Sequence, residues 1–120
     1  MLDIDYFKEV NDKHGHGIGD EVLVEYTKLV LSHLRDADVF CRIGGEEFMI
    51  ILPHTAKHEA QKIAEKLRIL IEDYKKIIPI TVSFGVVEYV LGEDIELICK
   101  RADDALYKAK DRGRNRVVVG

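Results

Sequence analysis

"CRIGGEEFMIILP", residues 41 to 53, sets two glycines and two glutamates inside what otherwise reads as one apolar strand. The runs on either side, "DVFCRI" at 38 to 43 and "FMIILP" at 48 to 53, are strand-like, and a Gly-Gly pair between them reads as a hairpin turn. A hairpin makes its sheet at least partly antiparallel. Two readings of the tip stand side by side. One is a tight turn with solvated acids beside it. The other is a bare backbone surface at Gly44 and Gly45, against which the phosphates of a ligand can close because no Cβ intervenes.

Outward from the hairpin, the chain alternates strand and helix patterns. "MLDID" is a short apolar run broken by acids, and "RVVV" near the end is another short strand. In "ITVSFGVVEY", residues 80 to 89, Ile80, Val82, Phe84 and Val86 alternate with smaller residues, which predicts a half-buried strand. Gly85 within it predicts a close backbone approach or a bend. Three apolar series recur at helical spacing: Val22, Tyr26, Leu29, Val30 and Leu34; Ala56 through Tyr74; and Ile95 through Ala109. Asp20 and Thr55 are the expected N-caps of the first two. Lys108, Lys110 and Arg112 followed by Gly113 mark the end of the third. A short helical turn, "YFKEVNDKH", follows the first strand. The expected order is strand, short helix, helix, strand, strand, helix, strand, helix, strand, an α/β (α+β) domain with helices covering the sheet. Phe7, Phe48 and Phe84 are expected in the core.

The 120 residues suffice for one domain with a real core. A net charge of −4 argues against a nucleic-acid partner, which would call for a basic face. No apolar run approaches a membrane span, and no basic flank precedes an apolar stretch as in a signal peptide. Cys41 and Cys99, without C-x-x-C spacing, read as buried thiols of a reducing compartment, so a cytoplasmic location without membrane contact is expected. The "KAKDRGRNR" stretch, 108 to 116, is the one concentrated source of positive charge.

A second acidic feature is "DID" at 3 to 5. Alternation puts Asp3 and Asp5 on one face and Ile4 on the other. Carboxylates at a strand end near a glycine hairpin suit Mg²⁺, which takes one or two acids together with substrate phosphates; otherwise they are solvent-facing charges. Lys8 and Asn11 follow on the short helical turn, and "GHGIGD" supplies Asp20. "HGHGIGD" lacks a third metal ligand and the G-x-G-x-x-G spacing of a dinucleotide loop.

Taken in order, "DIDYFKEVND", "GHGIGD", "RIGGEEF", "TVSFGV" and "ADDALYKAKDRGRNR" resemble the GGDEF family, the catalytic domains of bacterial diguanylate cyclases, with glutamate as the third residue of the motif. The resemblance implies a five-stranded, largely antiparallel sheet flanked by helices, similar to the palm of polymerases and nucleotide cyclases. It implies that two GTP molecules, one per domain of a homodimer, condense to cyclic di-GMP and two pyrophosphates. By the same resemblance Asp3, Glu46 and the Ile4 carbonyl hold Mg²⁺, with Mn²⁺ as the other candidate cation. Glu46 and Glu47 are catalytic, and Gly44 and Gly45 let the triphosphate cross the hairpin. Asn11 and Asp20 read guanine, while Lys8, Lys110 and Arg114 hold phosphates. Helix capping is the alternative role for Asp20, and complementing a helix dipole is that of the basic tail.

"RDAD", Arg35 to Asp38, resembles the family's R-x-x-D inhibitory site for cyclic di-GMP. An arginine that the family often adds from the next helix is replaced here by Lys62 and Lys66, which lack the planar fork, so weaker product inhibition is expected. Family domains carry a helix-bearing segment ahead of the first strand, so residues 1 to 120 read as a domain shortened at its N-terminus. The intact acids favour the enzyme. The shortened front favours the alternative, a non-catalytic module that binds GTP or cyclic di-GMP.

Overall fold

The computed structural model describes residues 1 to 120. Its elements follow the expected order: β1 (Leu2–Ile4), α1 (Phe7–His14), α2 (His16–Leu31), β2 (Val39–Gly44), β3 (Glu47–Ile51), α3 (Lys57–Glu72), β4 (Val82–Val86), α4 (Ile95–Asp111) and β5 (Val117–Val119). They form one five-stranded sheet in the order β2-β3-β1-β4-β5. β1 is antiparallel to both neighbours, and β2 and β3 are the hairpin read from the sequence. Only β4 and β5 are parallel, and α4 supplies the crossover that a parallel pair requires. The largely antiparallel α/β fold is as expected.

The core follows from the apolar periodicities. Val22, Tyr26 and Val30 of α2 meet Leu2, Ile4 and Phe48 of the sheet in one buried cluster, together with Leu67 and Ile71 of α3 and Val82 and Phe84 of β4. Tyr26 and Phe48 pack edge to face with ring centroids 5.1 Å apart, and Phe40 stacks on Phe48 at 5.1 Å, clamping α2 onto the hairpin. The Tyr26 hydroxyl has no hydrogen-bond partner, and burial pushes its pKa well up. Phe7, Phe48 and Phe84 are all buried, as expected.

Three expectations are corrected. β4 is not half-buried: Val82, Ser83, Phe84 and Gly85 are all buried, because β4 lies inside the sheet with helices against both of its faces. Asp20 does not cap α2, which starts earlier, at His16 after Gly15, and leaves Asp20 exposed within the helix. Thr55 does not cap α3, whose N-cap is Ala56; the Thr55 hydroxyl instead donates to the Pro53 carbonyl at 3.0 Å and accepts from Arg35 at 3.1 Å. The one side-chain cap is Asp94 on α4, which accepts from the Leu97 N–H at 2.8 Å.

Gly85 is the close approach its place in a strand predicts. A Cβ there would lie 2.3 Å from the Leu106 nitrogen and 2.5 Å from the Ala102 carbonyl oxygen, both backbone atoms of α4. A backbone cannot swing aside as a side chain does, so Gly85→Ala must lift α4 from the sheet. The expected loss is about 3 kcal/mol, read as a lower urea midpoint.

Candidate active site

β1 delivers its last residues to the mouth of a polar cavity of about 190 Å³. Six of the site residues that the resemblance implies line it, Asp3, Ile4, Lys8, Glu46, Lys110 and Arg114, and Asp5 lines it too. They come from β1, α1, the β2–β3 turn, α4 and the segment after α4. The chain leaves β1 through Tyr6, which takes a left-handed conformation (φ 56°, ψ 32°) as N-cap of α1. That conformation is unusual for a bulky residue and aims an exposed aromatic ring at the cavity rim.

Asp3 is buried, and its carboxylate is hydrogen-bonded and ion-paired to the Lys110 ammonium. Burial raises the Asp3 pKa, the Lys110 contact opposes that rise, and the charges of Glu46 and Glu47 add to it. Both glutamates are thus near enough for the Asp3 carboxylate to feel their charge. Glu47 opens β3 directly across from Asp3 in the strand register. Glu46, in the turn before it, lines the cavity while Glu47 does not.

Asp5 behaves differently from Asp3. Its buried carboxylate accepts from the Thr81 hydroxyl at 2.7 Å, the Ser83 hydroxyl at 2.7 Å and the Asn115 N–H at 3.0 Å. The two acids do share a face, but Asp5 is committed to the protein and leaves the cavity chemistry to Asp3. It ties the end of β1 to β4 and to the segment carrying Arg114. Arg68 of α3 adds a bond of 2.9 Å to the Asn115 side chain. Arg114 and Asn115 both have positive φ (64° and 47°), and the Arg114 guanidinium lies 4.6 Å from the centroid of the Tyr6 ring.

Gly45 turns the hairpin with φ +54°, whereas Gly44 needs no such freedom, and a Cβ at either would meet nothing within 4 Å. Internal packing therefore does not explain a glycine at 44. Asn11 on α1 and Asp20 on α2 lie outside the cavity lining, on the two helices that meet beside it. Arg35 and Asp38 are joined to each other: Arg35 Nη2 donates to Asp38 Oδ1 at 2.8 Å, and the Arg35 N–H donates to Oδ2 at 2.8 Å. Nη2 also reaches the Pro53 carbonyl at 3.0 Å. The pairing holds the Asp38 carboxyl below its ordinary pKa. Lys62 and Lys66 are exposed on α3.

Sequence reasoning did not find Tyr6 as a platform for Arg114, nor Asn115 as the anchor of the basic segment. No local pattern announces a left-handed tyrosine. The companion serine of Asp5 sits on β4 and the threonine just ahead of it, where alternation alone could have aligned Thr81 and Ser83 on one face.

The chain belongs to the GGDEF family: residues 1–116 match the family described as "Diguanylate cyclase, GGDEF domain". It is 42% identical over 126 residues to the response regulator PleD of Caulobacter vibrioides, which covers 98% of this chain and 28% of that protein. The chain thus spans less than a third of that relative. Among solved structures, it resembles the active GGEEF domain of a diguanylate cyclase from Vibrio cholerae (TM-score 0.89, 40% identity, covering 98% of this chain and 78% of that one). It also resembles the GGDEF domain of DgcB from Caulobacter crescentus in complex with c-di-GMP (TM-score 0.93, 35% identity, covering 98% and 74%). No helix is long and apolar enough to cross a membrane.

Removing the Asp5 carboxylate strands three donors in a buried setting. Asp5→Ala is expected to cost on the order of 3 kcal/mol in chemical denaturation. It should also loosen residues 112 to 116 first, visible as faster amide exchange there than in α2.

Proposed function

We propose that this chain is a diguanylate cyclase domain that condenses two GTP molecules into cyclic di-GMP and two pyrophosphates. The observation that carries this reading is the cavity in which Asp3, Ile4 and Glu46 face Lys8, Lys110 and Arg114, in a chain of this family. The two carboxylates and one carbonyl form an all-oxygen donor set that fits Mg²⁺ or Mn²⁺. Mg²⁺ needs only one or two protein carboxylates, its shell being completed by substrate phosphates and water. When bound, such a cation lowers the pKa of a ribose 3′-hydroxyl and neutralises charge on the attacked phosphorus.

The protein's own groups do the rest. Lys8, Lys110 and Arg114 hold the triphosphate, whose passage over the hairpin is left open by Gly44 and Gly45. Glu47 orients the 3′-hydroxyl or accepts its proton. That oxygen bonds to the α-phosphorus of the GTP held by the opposing domain, the bond to the β-phosphate bridge breaks, and pyrophosphate departs. Repeating the step from the other side closes the ring, so a homodimer is required. Asn11 and Asp20 recognise guanine, because a carboxylate accepts in parallel from N1–H and N2–H₂ and adenine offers no such donor pair.

Arg35 and Asp38 are proposed as an inhibitory site for cyclic di-GMP. Support comes from their charged pairing on an exposed turn and from the likeness to a domain solved with c-di-GMP. A product molecule must compete there with the Asp38, Pro53 and Thr55 contacts of Arg35.

Concentrated protein incubated with GTP and Mg²⁺ should release cyclic di-GMP and pyrophosphate, with ATP giving no cyclic product. Glu46→Ala should lower the rate by at least about 10²-fold. Retained GTP binding with no product at any protein concentration would favour a nucleotide-binding module instead. Arg35→Ala should weaken cyclic di-GMP binding by roughly tenfold or more, measured by calorimetry.

A further inference from the structure

α1 and α2 are joined only by Gly15, and Gly19, the residue before Asp20, packs against Asn11 and Phe7 of α1. Gly19 is buried and lies inside α2 without a positive φ, so the backbone does not require glycine there. In a helix interior, glycine is about 1 kcal/mol less favourable than alanine. What it supplies is space: a Cβ at 19 would lie 1.9 Å from Asn11 Oδ1 and 3.0 Å from Asn11 Cγ. The next neighbour, Phe7 Cζ, is at an ordinary 3.4 Å. The Asn11 carboxamide therefore rests on the bare Cα surface of Gly19.

We propose that Gly19 is a positioning residue for base selection: by lacking a side chain it seats the Asn11 carboxamide beside Asp20, so that both face one guanine edge. This rests on the assignment of Asn11 and Asp20 to guanine. A methyl at 19 meets the movable end of Asn11 and no backbone of α1, so it turns the carboxamide away without parting the helices. Gly17, two residues earlier in the same helix, is the natural comparison, since a Cβ there meets nothing within 4 Å.

The test measures equilibrium binding of 3′-deoxy-GTP and 3′-deoxy-ATP with Mg²⁺. Both lack the attacking hydroxyl, so no product forms. Gly19→Ala should weaken 3′-deoxy-GTP by about tenfold, leave 3′-deoxy-ATP unchanged and not lower the Tm. Gly17→Ala should bind like the parent. In an Asn11→Ala background, which has room for the methyl, adding Gly19→Ala should change nothing further. Parent-like selectivity in Gly19→Ala, or an equal loss on the Asn11→Ala background, overturns the proposal while leaving the guanine assignment standing. Parent-like binding by Asn11→Ala alone overturns the assignment and the proposal with it. If Gly19→Ala melts lower and the double variant also does, the methyl is striking something other than Asn11, and the proposal fails.

Discussion

The buried carboxylate of Asp5 is the constraint on which the site depends. It accepts from Thr81 and Ser83 of the strand side and from the backbone of Asn115 beyond α4, so three distant parts of the chain converge on one group. A buried carboxylate is stable only when its oxygens are satisfied. The segment after α4 is therefore held where Lys110 and Arg114 face Asp3 and Glu46. A loop free to wander would leave acids and bases on separate surfaces.

That convergence explains how an acidic protein gathers cationic side chains at one cavity. The chain as a whole carries a net charge of −4, but the cavity gathers Lys8, Lys110 and Arg114 among the acids Asp3, Asp5, Glu9 and Glu46. The Lys110 ammonium offsets Asp3, whose burial otherwise disfavours its charged form. The Tyr6 ring gives Arg114 a face to rest on. Charges of both signs are thus held in place by packing and hydrogen bonds made elsewhere, the preorganisation that the proposed phosphate chemistry calls for.

The helices serve this centre in different ways. α2 is anchored to the hairpin by Tyr26, Phe40 and Phe48, which fixes the turn carrying Glu46 relative to Asp20. α4 is drawn down on β4 by Gly85, and that depth sets where Lys110 falls. α3 contributes Arg68 to the anchoring of Asn115 and otherwise builds core.

By itself the sequence determined the order of all nine elements, the hairpin and the apolar face of the three long helices. Those features follow from periodicities of the backbone and from side-chain chemistry, which are local and survive in one dimension. It misread what depends on contacts between distant segments. Asp20 and Thr55 have the chemistry of caps, yet α2 begins at an uncapped glycine and the Thr55 hydroxyl is taken by Pro53 and Arg35. β4 alternates like a half-exposed strand, yet tertiary packing covers both faces. Strand alternation by itself does not tell Asp3 from Asp5. The fold brings Lys110 across 107 residues to the first and Asn115 across 110 residues to the second, so that one carboxylate is paired with a cation at the cavity and the other is held by the protein's own donors.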